Sequence, residues 1–196
     1  MCPSRNIILL ISLTIALYFF LSLSPTNAQT DKAPTNPNPY ETVNNFCLHK
    51  RLNVAKPFCL RVLKNPKAAN VKLNDLNPLL QVAINSTSAF VCRTLSQLLD
   101  LSEDLKTKPS LMPAIDNCLE AYEDVAEYIT NVFSDASQES TIAGLDGEVI
   151  QEYINRCIKV SARTGDPEIA DWNNEAKTYA KLLIDIADNL GSNEHK

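Results

Sequence analysis

The chain has 196 residues, 45% hydrophobic and 21% charged, with a formal net charge of −5. This is the composition of a folded globular chain, neither disordered nor collagenous, and the length suits one domain with at most a small appendage. An acidic chain without a basic run argues against nucleic acid as a partner; two histidines leave little room for a His-rich metal site or a zinc finger, and four glycines exclude a Gly-rich phosphate loop.

The N-terminus reads as an address. Arg5 supplies a positive start, residues 7–23 form an uncharged apolar run, and Thr26-Asn27-Ala28 offers small residues before a cut after Ala28. This is the pattern of a secretory signal peptide over 1–28. The apolar run is just long enough to span a bilayer, but polar, proline-bearing sequence follows at once, which favours cleavage over anchoring. Cleavage removes one charge, Arg5, so the mature chain starts at Gln29 with a net charge of −6. With no second apolar run and no lipidation signal, the expected destination is extracellular, with no membrane contact after cleavage.

Residues 29–39 are polar and carry Pro34, Pro37 and Pro39, which predicts a flexible, extended leader. Residues 40–51 and 58–63 are short helical segments around Pro57. Four longer helices follow. The first is predicted over 78–105, with Asn77 as cap, Pro78 at the first helical position, and a stripe of Leu80, Ile84, Thr87, Val91, Thr94, Leu98, Leu101 and Leu105. The second runs over 111–133 behind Ser110, with Leu111, Ile115, Cys118, Tyr122, Val125, Ile129 and Val132 in line; Pro113 falls in its first turn, where a missing N–H costs little. The third starts between Ile142 and Glu148 and ends near Ala162, with Ile150, Tyr153, Cys157 and Val160 in line. The fourth is capped by Asp166 before Pro167 and runs to Leu190, stopping at Gly191; its stripe is Ile169, Trp172, Ala176, Tyr179, Leu183, Ile186 and Leu190.

Steps alternating three and four are the seam pattern of packed helices, and no segment alternates with the period of two that a sheet requires. The expectation is an all-α, up-down-up-down four-helix bundle preceded by a short helical hairpin, spanning 40–190, with a polar tail at 191–196.

Once Cys2 leaves with the signal, Cys47, Cys59, Cys92, Cys118 and Cys157 remain. An odd number in a secreted chain means two disulfides and a leftover thiol, or a bond between chains, and counting does not choose the pairs. Cys118 and Cys157 lie on core-facing stripes of consecutive helices; a bridge between them would close a loop of about 40 residues, worth about 4 kcal/mol. Cys47 and Cys59 flank the hairpin and can close it locally. Cys92, beside the stripe next to Val91, reads as a half-buried free thiol.

The chain shows no Gly-x-Ser-x-Gly, His-Glu-x-x-His or Cys-x-x-Cys pattern. His49 in the hairpin and His195 in the tail have no neighbours that would make either a base. Glu120, Glu123, Asp124 and Glu127 fit the solvated face of a helix, and no Glu-x-x-His motif faces the core. The expectation is a protein that is not an enzyme and holds no cofactor or metal. Asn85-Ser86-Thr87 is an N-glycosylation sequon, with Asn85 off the stripe and free to point outward.

Three features resemble the plant inhibitor family that blocks pectin methylesterases and invertases. They are the early cysteine pair followed by Leu63-Lys64-Asn65-Pro66-Lys67, the stretch AIDNCLEAY from Ala114 to Tyr122, and the spacing from Cys118 to Cys157. The stretch 183–190 is also similar to the family's last helix. The resemblance covers about 40–190 and implies disulfides Cys47–Cys59 and Cys118–Cys157, with Cys92 free. It implies a rigid disulfide-braced bundle that docks over an enzyme's substrate cleft and excludes the polysaccharide; the mature chain is expected to be a compact monomer. Exposed residues of the second long helix, Asp116, Glu120, Glu123 and Glu127, are the expected partner contacts. The chain departs from the family where Ile158-Lys159-Val160 follows Cys157. It also lacks the Pro-Lys-Phe tripeptide of invertase-directed members in the stretch 134–140. The expected partner is therefore pectin methylesterase, with acid invertase as the alternative on the same fold and a non-inhibitory secreted bundle as a third reading.

Overall fold

A computed structural model describes residues 38–72, 75–104, 110–135, 140–162 and 165–191, with the backbone alone described at 49, 131–135, 140–146 and 191. The expected signal peptide, the leader up to residue 37, the side chain of His49, and the tail from 192 with His195 lie outside the described residues. So do Leu105 and the side chains of Val132 and of the 134–140 stretch.

The described residues form six α-helices and no strand: α1 (Glu41–His49), α2 (Lys56–Leu63), α3 (Asn77–Asp104), α4 (Met112–Asp135), α5 (Ser140–Ser161) and α6 (Pro167–Gly191), with a 3₁₀ turn at Pro66–Ala68. Each long helix packs on its neighbours in the chain, and α3 packs on α6, so the four close into a ring. Contact points give the directions. Cys118 meets Cys157, Asp124 meets Arg156 and Tyr128 meets Tyr153, so the contact descends α5 as it climbs α4. Likewise Ser161 meets Asn173 at one end of the α5/α6 pair, and Gly147 lies against Ala180 and Ile184 at the other. Neighbouring helices are antiparallel and the fold is the expected bundle.

The stripes predict most of the core. Leu80, Ile84, Val91 and Leu98 of α3, Ile115, Cys118, Tyr122, Val125 and Ile129 of α4, and Ile169, Ala176, Leu183, Ile186 and Leu190 of α6 are all buried. On α5 the line is rotated. Ile150, Ile154, Cys157 and Ser161 are buried, whereas the expected Tyr153 and Val160 are only half-buried. Tyr153 faces α4 across the surface seam rather than the bundle axis.

The helix starts follow local hydrogen bonding. Asp166 Oδ1 accepts from Glu168 N at 2.9 Å and Ile169 N at 3.3 Å, capping α6 as expected. Gly165, just before it, sits at φ +65°, a conformation that favours glycine. For α3 the expected cap, Asn77, is already helical; Asp75 Oδ1 receives its N–H at 3.2 Å, and the first turn is built on the Leu76 carbonyl.

The start of α5 at Ser140 corrects the expectation of a later start and puts Gly147 inside the helix. The reason is packing: a Cβ at Gly147 would stand 2.4 Å from Ile184 Cγ1 and 3.1 Å from the Ala180 carbonyl oxygen. Glycine is there because the α5 and α6 backbones cross too closely for a side chain.

The hairpin α1/α2 is closed by Cys47–Cys59, and Cys118–Cys157 ties α4 to α5, the pairs the resemblance implies. Cys92 corrects the expected free thiol: it is half-buried and disulfide-bonded, and no cysteine is free among the described residues. No described helix is long and apolar enough to cross a membrane.

Candidate protein-binding face

Asp116, Glu120, Glu123 and Glu127 lie at steps of four, three and four along α4, and all four are exposed. Helical geometry sets them in one row beside the buried stripe. The structure joins only one of them to a partner. Arg156 of α5 reaches Glu120 at 4.0 Å, but its closer partner is Asp124 at 2.6 Å. Asp116, Glu123 and Glu127 make no ion pair among the described residues.

Around that pair the α4/α5 seam carries two tyrosines. Tyr128 and Tyr153, both half-buried, meet edge to face with centroids 6.3 Å apart, and the Arg156 guanidinium lies 5.2 Å from the Tyr153 ring centre. Tyrosine and arginine are among the residues enriched at the centres of protein interfaces, and carboxylates belong to the polar rim around them. Sequence reading placed Tyr153 in the core and Asp124 in a solvated face. The signal that would have found them is the pairing of α4 with α5, which appears only once Cys118–Cys157 sets the register.

Beneath this face the scaffold is tied together. The Tyr122 hydroxyl, on a residue 1% exposed, donates to Asn173 Oδ1 at 3.0 Å. Asn173 Nδ2 donates to Ser161 Oγ at 3.3 Å, and Ser161 donates to the Ile158 carbonyl. This chain of bonds links α4, α5 and α6 within one turn of the Cys118–Cys157 bridge. Burial pushes the Tyr122 phenol well above its usual pKa, so it stays a neutral donor.

The opposite seam, α3/α6, is covered by the hairpin. Arg61 pairs with Glu175 at 3.0 Å, Phe58 meets Tyr179 with centroids 5.0 Å apart, and Asn53 bonds Asp185, so the hairpin's second arm runs antiparallel along α6. Asp185 is 2% exposed, and its carboxylate accepts Asn53 N at 2.8 Å and Asn53 Nδ2 at 2.7 Å. Burial raises its pKa above 3.8, opposed by the Asn53 and Val54 N–H groups and reinforced by Asp188. On the same side Tyr179 stacks at 5.0 Å on Phe90, and Arg93 lies over Phe90 at 5.3 Å. Burial and Glu175 raise the Tyr179 pKa, while Arg61 and Arg93 pull it down.

Asn85 is exposed on α3. Thr87 of its sequon is 2% exposed and bonded to the Ala83 carbonyl at 2.8 Å, inside the bundle. No group of three or more His, Cys, Asp or Glu that could hold a metal occurs among the described residues.

No protein-family model and no curated protein sequence matches this chain. Among solved structures it is similar to a mutant form of a pectin methylesterase inhibitor from Arabidopsis, with a TM-score of 0.58 and 18% identity. The match covers 68% of this chain and 88% of that one. That neighbour is an inhibitor protein and not an enzyme. The resemblance read from the cysteines and helices therefore holds at the level of the fold, which is that of the inhibitor bundle.

Proposed function

We propose that this chain is a secreted inhibitor of pectin methylesterase that acts by stoichiometric steric blockage of the enzyme's substrate cleft. The observation that carries the reading is the likeness in fold to a pectin methylesterase inhibitor over 88% of that protein's length. The α4/α5 seam supports it. There Tyr128, Tyr153 and Arg156 sit within a row of exposed carboxylates, over a scaffold braced by a disulfide and a buried polar chain. A face already held rigid loses little entropy on docking. Asp116, Glu120, Glu123 and Glu127 form the rim of that face and steer a basic enzyme toward it, so association is salt-sensitive.

In this reading residues 1–28 are a signal peptide, the mature chain is a monomer in the extracellular space, and Asn85 carries a glycan. Because Thr87 is inside the folded bundle, the transferase reads the sequon before α3 docks.

The test is a titration of the purified, oxidised chain against a plant pectin methylesterase and a plant acid invertase in parallel. One-to-one loss of pectin methylesterase activity, weakened by Arg156→Ala and Tyr153→Ala, is expected. Inhibition of invertase alone transfers the reading to that enzyme. Inhibition of neither, with the fold verified by circular dichroism, overturns it.

A further inference from the structure

Across the bundle from the proposed enzyme-binding face lies a second surface with a different chemistry. Five side chains from three helices stack in one line: Arg61 over Phe58, Phe58 against Tyr179, Tyr179 on Phe90, and Phe90 under Arg93. The successive separations are 5.0, 5.0, 5.0 and 5.3 Å. Phe90 is buried and anchors the line; Phe58 and Tyr179 are half-buried, and both arginines are exposed. Arg93 makes no ion pair among the described residues, whereas Arg61 already holds Glu175. In a chain of net charge −5, this places two guanidiniums at the ends of an aromatic strip. The strip joins the hairpin to the bundle, so no single segment of sequence displays it.

We propose that this strip is a binding site for an acidic polysaccharide built of uronate sugars. The C–H face of a pyranose ring is apolar and packs on aromatic rings such as Phe58 and Tyr179, while a uronate carboxylate fits the planar fork of a guanidinium. A plain anion site needs only the cations; a charged sugar uses cations and rings in alternation. The chemical class follows from the strip. The source, the de-esterified polymer that a pectin methylesterase leaves, rests on the proposed function. Arg93 supplies the principal charge contact. Arg61 contributes less, because Glu175 competes for it.

The experiment titrates the full oxidised chain with a defined galacturonate oligomer at low salt, followed by calorimetry and by chemical shifts. The fully methyl-esterified oligomer and polyglutamate serve as comparison ligands. Galacturonate is expected to bind saturably and several-fold more tightly than either. Arg93→Gln should weaken it about fivefold, the worth of one exposed charge pair. Arg61→Gln should weaken it less, and Glu175→Gln should strengthen it. Phe58→Leu, which keeps the apolar volume but removes the ring, should also weaken it. No binding, equal binding of polyglutamate, or indifference to Arg93→Gln overturns the proposal. Enzyme inhibition by the same preparations reports the other reading separately. Arg93→Gln leaves inhibition unchanged, and a chain that binds the sugar without inhibiting any enzyme sinks the inhibitor reading and keeps this one.

Discussion

The two opposite seams of the bundle are held by different means. The α4/α5 seam is joined by a covalent bond and a buried polar chain and is otherwise open to solvent, so its tyrosines and Arg156 are presented on a fixed base. The α3/α6 seam is covered by a separate element, the hairpin, which has its own disulfide and is held against α6 by non-covalent contacts at Asn53, Phe58 and Arg61. One seam is braced from within and the other is closed by a lid. The difference teaches that one small fold can hold one seam by bonds inside the bundle and the other by packing a separate element over it.

The largest expected effect separates them directly. Replacing Cys118 and Cys157 by alanine opens a loop with a sequence separation of 39 residues and should lower global stability by about 4 kcal/mol. Replacing Cys47 and Cys59 opens one of 12, for a loss of about 3 kcal/mol on the same model. If the hairpin is a lid, that second loss falls mainly on the amides of α1 and α2. Denaturant midpoints combined with hydrogen exchange check this. A hairpin variant that loosens α4 and α5 as much as α1 would break the comparison.

Next in size is Asp185→Ala, which removes two hydrogen bonds from Asn53 to a carboxylate and should cost about 2–3 kcal/mol, with the fastest amide exchange appearing around residues 51–55. The same carboxyl carries a pH signature. Its folded pKa stands above its unfolded value near 3.8, so the folded chain keeps the proton over a range where the unfolded chain has lost it. Its contribution to stability is therefore greatest below the unfolded value and is lost as pH rises through the folded one. Melting wild type and Asp185→Asn side by side should show wild type losing ground relative to the variant as pH rises through that range. A constant difference would show that the Asp185 carboxyl titrates alike in the folded and unfolded chains.

Gly147→Ala probes the braced side. Alanine gains about 1 kcal/mol of helix propensity, but its Cβ would sit 2.4 Å from Ile184 and 3.1 Å from the Ala180 carbonyl. A side chain can turn away; a helix carbonyl cannot. Overpacking of about 1–3 kcal/mol outweighs the propensity, so a net loss of about 1 kcal/mol is expected, read from the urea midpoint. A gain would mean that α5 and α6 separate easily.

These residues also mark where sequence reading stops. Repeating steps of three and four made the bundle legible, because each long helix buries one continuous line of apolar side chains. The same logic hides contacts between elements far apart in the chain. Asp185 lies between Ile184 and Ile186, 132 positions from the Asn53 it holds, and nothing local distinguishes it from a solvated carboxylate. Gly147 reads as the edge of a helix, because glycine inside a helix is costly unless another backbone crosses there. Tyr153 has the spacing of a core residue, but α5 is rotated so that Ile154 takes that place. The row Asp116, Glu120, Glu123 and Glu127 was legible as an exposed face, whereas the tyrosines and Arg156 that give the face a centre required the α4/α5 register.

The smallest effect concerns two threonines on one stripe of α3. Both are buried, at 2% for Thr87 and 0% for Thr94. Thr87 returns its hydroxyl to the Ala83 carbonyl at 2.8 Å, whereas Thr94 Oγ1 has no hydrogen-bond partner among the described residues. A buried hydroxyl without a partner keeps its desolvation cost, and valine has nearly the same shape and helix propensity. Thr94→Val should therefore stabilise the chain by about 1 kcal/mol, and Thr87→Val should come out near neutral because a bond is lost along with the hydroxyl. The contrast between the two variants matters more than either alone, since both make the same change in shape on the same helix. Equal shifts in midpoint would mean that the Thr94 hydroxyl is satisfied in solution, which places a water inside the lidded side of the bundle.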